Sequence, residues 1–274
     1  MDFFITLSQI WQSFPEAVCS GLLIGSICSF FGVFVVLKRL VFIGITLLQA
    51  SACGIAAAFL FHFNPSAGAV CAALATVTIL ALPAEERKIP RDALMALIFI
   101  LASSLSVLFV AKSPVGFEEV KELLYGDLIL CSPSDFKVLL CALLPPFFLL
   151  LLFLRPVTYT FLDREEARVL GLRVRFWELL FFYASALVIS AASKLGGMVL
   201  VFCYLVIPPM AGLLLCTRLR AVFLTAQVLA ALATLAGFYL SFKYDLPVNP
   251  CIAAGGAVFL LIIYILNYFK NRVI

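Results

Sequence analysis

A polar stripe inside one of the apolar runs is the first place where this sequence could do chemistry. Ile45, Gln49 and Cys53 are four residues apart, so on a helix they share one face. An amide such as that of Gln49 costs free energy in an apolar environment unless it is hydrogen-bonded or faces a cavity. We therefore expect either a hydrogen bond between helices or a face that lines a path for a solute.

A short charged segment between two long apolar runs is the second candidate. Residues 163–171 read Asp-Arg-Glu-Glu-Ala-Arg-Val-Leu-Gly. Asp163 can cap the start of a helix, and Gly171 can end it. Glu166 lies three residues after Asp163, where its side chain can accept a hydrogen bond from the backbone N–H of Asp163. A capped polar helix in a loop is typical of a membrane protein that a soluble partner drives, because the partner needs a rigid element to push on.

The other reactive residue types form no enzyme signature. His62 is the single histidine, and it lies thirteen residues beyond Gln49, which turns it to roughly the opposite side of a helix, as a rim residue. The nine cysteines include no C-x-x-C pair, and no nucleophile elbow, phosphate-binding loop or H-E-x-x-H motif occurs. We therefore expect no enzyme, no cofactor bound by this chain, and no ATP hydrolysis by this chain through the usual phosphate-binding loop.

Composition indicates the element that positions these residues. The chain has 274 residues, of which 65% are hydrophobic and 12% charged, as expected for an all-α, polytopic membrane bundle rather than a soluble domain. We expect one transmembrane domain over 1–274. Nine spans are predicted, and they leave no room for a soluble domain of useful size: 17–37, 41–62, 66–83, 93–111, 136–154, 176–193, 196–216, 221–242 and 248–268.

The distribution of basic residues predicts the orientation. With nine spans, 14 of the 19 Lys and Arg residues fall on one side, which the positive-inside rule assigns to the cytoplasm. The amino terminus is then outside, and the 163–171 segment is cytoplasmic. The net charge of +4 reflects this bias and does not suggest nucleic acid. The cytoplasmic set is Lys38, Arg39, Arg87, Lys88, Arg91, Arg155, Arg164, Arg168, Arg173, Arg175, Arg218, Arg220, Lys270 and Arg272.

The longest outside connection, 112–135, is acidic. Its carboxylates could dock a basic or metal-carrying partner, or they could simply face water. Ser132 followed by Pro133 predicts a helix start at the end of this loop. The acidic residues are Glu118, Glu119, Glu122, Asp127 and Asp135.

Glycine and proline spacing predicts how the spans pack. Gly21 and Gly25 form a G-x-x-x-G pair, for which we prefer packing within the chain, and Ala50, Gly54 and Ala58 form a flat face. Two proline pairs inside predicted spans indicate kinked or broken helices. These pairs are Pro145-Pro146 and Pro208-Pro209.

Four stretches occur in order along the chain: Gly32–Gly44, Leu124–Leu130 with Ser132 and Asp135, Phe161–Gly171, and Gly197–Ala211. Together with the helix count they cover nearly the whole chain. In this order they resemble one family, the inner-membrane permease subunits of ABC importers for zinc, manganese or iron (ZnuB-like permeases).

The resemblance implies a multi-pass subunit of a bacterial cytoplasmic (inner) membrane, with a second permease subunit, cytoplasmic ATPases and an extracytoplasmic metal-binding protein as partners. The 163–171 segment would be the coupling helix. Ile45, Gln49 and Cys53 would line the pathway, Gly126 and Asp127 would shape its outer end, and Pro208 and Pro209 would shape a kinked helix. The coupling residues would be Asp163, Arg164, Glu165, Glu166, Ala167, Leu170 and Gly171.

One departure from the family concerns the substrate. Where the family usually has Asp and His, this sequence has Ile45 and Gln49, which are poor zinc ligands. A second permease could supply the ligands, transport could need no tight site, or the substrate could differ from a bare cation. The expected function is import of a divalent transition metal. The alternatives are import of a metal chelate or other small solute, and a structural partner that binds no substrate.

Overall fold

The computed structural model describes residues 10–81, 90–113 and 126–272, and all regular structure within these ranges is α-helical. The described residues form ten helices, which confirms the predicted all-α fold. They are α1 (Pro15–Leu37), α2 (Val41–Phe61), α3 (Pro65–Ala81), α4 (Arg91–Lys112), α5 (Pro133–Leu152), α6 (Leu154–Leu162), α7 (Arg164–Val169), α8 (Val174–Leu215), α9 (Leu219–Tyr244) and α10 (Val248–Arg272).

Seven of the described helices are long and apolar enough to cross a membrane. Two helices account for the difference from the nine predicted spans. Helix α3 is apolar but has only 17 residues, slightly short of the length that a bilayer requires. Helix α8 has 42 residues and contains both predicted spans, 176–193 and 196–216, which meet close to a kink at Gly197.

The described residues cluster into two compact units, each made of several chain segments. The first unit takes its residues from Met1–Val36, Tyr125–Leu140 and Leu195–Ile274, and the second from Leu37–Leu124 and Cys141–Lys194. Helices α1, α9 and α10 lie in the first unit, apart from Leu37, and α2, α3, α4, α6 and α7 in the second. The expectation of one domain over 1–274 stays a prediction.

The second unit is held together by close packing of α2 against α3 and α4. A Cβ added to Gly54 would overlap the carbonyl oxygen of Gly68 and would lie 2.8 Å from the Cβ of Ala72. A Cβ on Gly68 would lie 3.0 Å from the Cβ of Ala58. The predicted flat face of α2 therefore packs directly on the backbone of α3.

In the first unit, the G-x-x-x-G pair of α1 packs within the chain, as predicted. A Cβ on Gly25 would lie 3.0 Å from the ring of Tyr204, and one on Gly21 would lie 3.1 Å from Thr234. The hydroxyl groups of Tyr204 and Thr234 are hydrogen-bonded at 2.6 Å, so the two polar groups satisfy each other in the core. The two glycines make room for this pair between α1, α8 and α9.

The helices are not broken at the proline pairs, whereas the alternative of a kink there stays a prediction. Helix α5 continues through Pro145 and Pro146, α8 continues through Pro208 and Pro209, and the residue of α8 with non-helical dihedral angles is Gly197 (φ 67°, ψ 170°). Membrane helices tolerate proline where neighbouring helices pack on the freed backbone groups. Gly32 of α1 packs in this way on α8. A Cβ on Gly32 would lie 2.8 Å from the carbonyl carbon of Leu205 and 2.8 Å from the ring of Pro209.

Candidate coupling helix and translocation face

A helix that the sequence analysis missed leads into the charged segment. Residues 154–162 form α6, which ends at Asp163. Its apolar face is short, and the signal that could have revealed it is the spacing of Leu154, Val157 and Phe161. The ring of Phe161 is buried against the ring of Phe181, with the centroids 4.6 Å apart. This contact fixes the end of α6 on α8.

Asp163 caps α7 as predicted, but Glu166 does not return the cap. Oδ1 of Asp163 accepts hydrogen bonds from the backbone N–H groups of Glu165 (2.8 Å) and Glu166 (3.2 Å). The backbone N–H of Asp163 donates to the carbonyl of Tyr159 in α6 instead (3.0 Å). Since α6 runs directly into α7, the donor that Glu166 would satisfy is already used.

Gly171 ends α7 as predicted. Its φ is +75°, and the backbone N–H groups of Leu172 and Gly171 donate to the carbonyls of Ala167 (2.9 Å) and Arg168 (3.0 Å). These two bonds form a Schellman motif, which requires a residue with positive φ at this position. The six-residue helix is therefore closed at both ends by its own residues.

One side of α7 is buried and the rest faces outward. Ala167 is fully buried, whereas Val169 is 88% and Leu170 61% exposed. Glu165 and Arg168 form an exposed ion pair at 3.2 Å. The outward surface combines two apolar side chains with charges of both signs, a composition suited to a protein partner.

The sequence analysis also missed the partner of Arg164. The guanidinium of Arg164 donates from Nε to Oε1 of Glu178 (2.8 Å) and from Nη2 to both carboxylate oxygens, one of them at 2.6 Å. Lys38 lies nearby, with its ammonium 5.7 Å from the centre of the Phe161 ring. Burial lowers the pKa of Lys38, and Arg164 lowers it further, while Glu178 and Asp163 act in the opposite direction.

Connections predicted on the cytoplasmic side meet one another within the second unit. Arg175 donates to the carbonyl of Ala81 at the end of α3 (3.1 Å), and Lys38 lies over Phe161. These contacts join the connections after the first, third and fifth predicted spans. The alternation of sides inferred from the basic residues therefore agrees with the packing.

Connections predicted on the outside meet in the same way within the first unit. Gly126 has φ +59°, and a Cβ on it would lie 2.6 Å from the carbonyl oxygen of Leu195 and 2.7 Å from the carbonyl carbon of Gly196. The side-chain amide of Asn249 donates to the carbonyls of Gly196 (3.1 Å) and Leu195 (3.4 Å). Asn249 thus bonds carbonyls that lose helical partners where α8 departs from helical geometry at Gly197.

The end of the acidic loop is built from short-range hydrogen bonds. Oδ1 of Asp127 accepts from the N–H of Ile129 (2.9 Å), which forms a turn. Ser132 caps α5 as predicted, because its hydroxyl oxygen accepts from the N–H of Asp135 (3.2 Å). The predicted acidic residues Glu118, Glu119 and Glu122 lie outside the described residues.

The predicted pathway face lies on α2. Gln49 is 9% exposed, and the structure shows no hydrogen bond from its amide to the part of the chain that it describes. Cys53 is half-buried and contacts the hydroxyl of Ser106 on α4. His62 ends α2 with φ 57° and is exposed, as predicted for a rim residue. One alternative for Gln49 was a hydrogen bond to another helix, which would make it a packing residue. Gln49 forms no such bond among the described residues.

Within residues 10–81, 90–113 and 126–272, no three His, Cys, Asp or Glu side chains are grouped so that they could hold a metal ion. All nine cysteines are free thiols. Any metal that passes along Ile45, Gln49 and Cys53 would therefore be held weakly by the described part of this chain alone. The role of these three residues stays a prediction.

Comparison with known proteins gives one family across the chain. The sequence profile described as the ABC 3 transport family matches residues 11–267. The manganese import system permease protein ScaB of Streptococcus parasanguinis is 24% identical over 261 residues, which cover 94% of this chain and 92% of ScaB. The chelated iron transport system membrane protein YfeC of Yersinia pestis is 24% identical over 230 residues, with 84% and 78% covered.

A solved structure shows the same fold. The structure of PsaBC from Streptococcus pneumoniae in complex with Fab contains a chain that superposes with a TM-score of 0.84. The superposition covers 95% of each chain at 18% sequence identity. The helical arrangement is therefore shared although few side chains are.

Proposed function

Because this chain belongs to the ABC 3 transport family, we propose that it is the membrane-spanning permease subunit of an ATP-driven importer for a divalent transition metal. The observation that carries the proposal is the family match over residues 11–267, which leaves no substantial part of the chain outside it. Manganese and iron are the leading substrates, since relatives that cover most of the chain are named for them. Zinc is the third metal to test.

The energy for transport comes from separate ATPase subunits in the cytoplasm. Helix α7 is the surface that docks on them, and its closed ends, buried Ala167 and exposed Val169 and Leu170 support this role. A short helix capped at both ends transmits a push better than a flexible loop does. The coupling set stays as predicted from the sequence: Asp163, Arg164, Glu165, Glu166, Ala167, Leu170 and Gly171.

The translocation path runs along the face of Ile45, Gln49 and Cys53. Gln49 is 9% exposed as a whole residue, and its amide makes no hydrogen bond among the described residues, as expected for a side chain that meets a passing solute. A second permease subunit forms the other wall. Weak binding favours conduction, because a tightly held ion does not leave.

The outer end of the path is shaped by Gly126 and Asp127, and its helices by Pro208 and Pro209. A binding protein on the outside delivers the substrate there. The chain needs no cofactor of its own, and ATP is used by the partner subunits. Docking of the binding protein at this end draws support from the contact of Gly126 with Leu195 and Gly196, which gives the outer surface a fixed shape.

A metal chelate is the second candidate substrate. Ile45 offers no ligand atom and Gln49 only a neutral amide, so a metal that keeps its own ligands would suit this face. The relative YfeC is named for chelated iron. The two candidates differ in whether the metal enters as a bare cation or with its own ligands. One uptake assay tests both forms.

Metal uptake tests the proposed function. Cells with the complete transporter would be offered limiting manganese, iron or zinc, each as the free ion and as a chelate, with this chain intact or deleted. We expect deletion to abolish uptake of one metal. Unchanged uptake of every form would contradict the proposal and would favour a structural partner that binds no substrate.

The coupling assignment has its own test. Glu166→Lys places a cation on the outward side of α7, so we expect normal insertion of the protein, weaker retention of the ATPase and loss of uptake. Retention would be measured by co-purification in detergent. If both retention and uptake stay normal, α7 is not the ATPase contact.

A further inference from the structure

The charged pair that fixes the start of α7 is built differently from the other ion pair on that helix. Nε and Nη2 of Arg164 hold both oxygens of Glu178, and the side chains are 44% and 14% exposed. In the pair of Arg168 with Glu165, one nitrogen contacts one oxygen, and the side chains are 62% and 81% exposed. Exposed pairs of the second kind contribute little, whereas two-pronged pairs with a buried carboxylate fix geometry.

We propose that Glu178 is a positioning residue that, through Arg164, links movement of α7 to the membrane helix α8. The inference rests on the proposed function, because it needs α7 to be the ATPase contact. It goes further by naming the residue of α8 that receives the movement. Arg164 is the first residue of α7, and Glu178 lies in the second turn of α8.

The burial of Glu178 makes the link stiff. A carboxylate that is largely removed from water loses hydration, and among the described residues the guanidinium of Arg164 is the cation that is paired with it. Sliding α7 along α8 would separate the two groups and leave the carboxylate unpaired. Displacement of α7 therefore costs less free energy when Glu178 and α8 move with it than when α7 moves alone.

Aromatic contacts hold α6, which runs directly into α7, against α8 beside the ion pair. The ring of Phe161 lies 4.6 Å from that of Phe181, and the ring of Phe153 lies 5.2 Å from that of Trp177. These apolar contacts resist separation of the helices but are not directional, so they do not prevent sliding. The ion pair is the contact that resists sliding. Residues 153–182 then move as one body.

The charges around the pair explain why Glu178 is needed as well as Arg164. Lys38, at the end of α1, is near enough to Arg164 for the two cations to disfavour each other. Glu178 and Asp163 are the anions that offset them. Removal of Glu178 alone would leave two cations facing one anion, so α7 would be pushed from its seat on α8.

Helix α8 is long enough to carry the movement away from the cytoplasm. Residues 174–194 have regular helical geometry and rise about 31 Å, which is close to the thickness of the hydrocarbon core. A displacement at Glu178 is therefore delivered to a rod that crosses the membrane. No comparable charged link joins α7 to another membrane helix among the described residues.

The test measures the amount of metal transported per ATP hydrolysed. The complete complex with its ATPase and binding protein would be placed in vesicles and supplied with manganese(II) or iron(II), whichever the uptake assay selects. The variants are Glu178→Gln, Glu178→Asp and the exchange of charges, Arg164→Glu with Glu178→Arg. Arg173→Gln is the matched control, because Arg173 is an exposed cation nearby that belongs to neither ion pair.

We expect Glu178→Gln to keep the ATPase bound and active and to lower the metal-to-ATP ratio by about two- to thirtyfold, the range for residues that carry coupling between sites. Glu178→Asp should fall between this variant and the native protein, and the exchange of charges should restore most of the ratio. Arg173→Gln should change nothing. A purely structural role would instead lower the yield of complex and leave the ratio of the remaining molecules unchanged.

Two results would overturn the inference. One is a native ratio in Glu178→Gln, and the other is an assembled charge-exchange variant whose ratio is not restored. If Glu166→Lys uncouples transport while Glu178→Gln does not, the inference fails and the proposed function stands. If Glu166→Lys changes neither ATPase retention nor uptake, the coupling role of α7 fails first.

Discussion

A single methyl group at the contact of α2 with α3 should destabilise the protein measurably. Gly54→Ala places a Cβ 2.6 Å from the carbonyl carbon of Gly68, and the same atom would overlap the carbonyl oxygen. The atoms it meets belong to backbone and to the Cβ of Ala72, so no side chain can rotate away. The two helices must therefore move apart.

The required movement sets the magnitude. Carbon atoms pack at about 3.5–4.0 Å, so a separation of 2.6 Å must grow by about 1 Å. Overpacking of this kind costs about 1–3 kcal/mol. For a chain of this size, that corresponds to a fall in apparent Tm of about 2–12 °C.

The chain offers a matched control for this prediction. Gly255 lies in α10, and a Cβ added there would meet no atom within 4 Å. Both substitutions gain the same helix propensity, about 1 kcal/mol. The difference between Gly54→Ala and Gly255→Ala therefore isolates the steric cost.

Thermal unfolding of the two variants in detergent, followed by the loss of monodisperse protein, would measure that difference. Gly255→Ala should unfold at or above the native temperature, and Gly54→Ala about 2–12 °C below Gly255→Ala. Equal unfolding temperatures would refute the close approach of α2 and α3. Because α2 also carries Gln49, we expect the displaced helix to lower uptake as well.

Three further predictions concern α7 and the pathway face. Asp163→Ala removes the cap of α7 and should cost about 0.5–2 kcal/mol locally, so ATPase retention should fall, while Asp163→Asn should retain it; equal loss in both would exclude a capping role. Gly171→Ala meets no atom within 4 Å and should cost only the strain of positive φ, about 1–2 kcal/mol, with a smaller loss of ATPase retention for Gly171→Asn. Gln49→Ala should lower uptake of limiting metal without changing the amount of inserted protein, and full uptake would return Gln49 to a packing role.

Local signals predicted the parts of this fold that depend on few residues. The helix starts at Ser132 and Asp163 and the helix end at Gly171 follow from side chains next to the backbone groups that they satisfy. The close packing at Gly25 and Gly54 follows from small residues at helical spacing. In each case the physical cause is contained within one or two turns of helix.

Features that depend on distant partners were not predictable. Nothing near Glu178 indicates that its carboxylate meets Arg164, fourteen residues earlier, because the pairing requires α6 to turn the chain back onto α8. The expected hydrogen bond from the N–H of Asp163 to Glu166 is absent for the same reason. That N–H donates to a carbonyl of α6, a helix that the sequence analysis did not predict. The kink of α8 at Gly197 lies next to the predicted boundary between the spans 176–193 and 196–216, but the sequence analysis looked to the proline pair for a kink and did not single out this glycine with positive φ.

The substrate-facing chemistry is the least determined by sequence. Ile45, Gln49 and Cys53 share a face whatever the fold, but their role depends on what stands opposite them. The structure adds that Gln49 is buried without a hydrogen bond among the described residues. That observation favours the pathway alternative for Gln49, which Gln49→Ala tests, and the uptake assay identifies the metal.

The self-contained closure of α7 has a consequence for how transporters of this kind diversify. Asp163 and Gly171 close the helix from within the segment, and its seat on the membrane helix depends on Glu178. After gene duplication, a permease could therefore change its ATPase by substitutions in residues 165–170 alone, provided that Arg164 and an acidic residue at position 178 remain. Transplanting residues 163–172 into a related permease that has a carboxylate at that place should then exchange the two ATPases without any change to the transported metal.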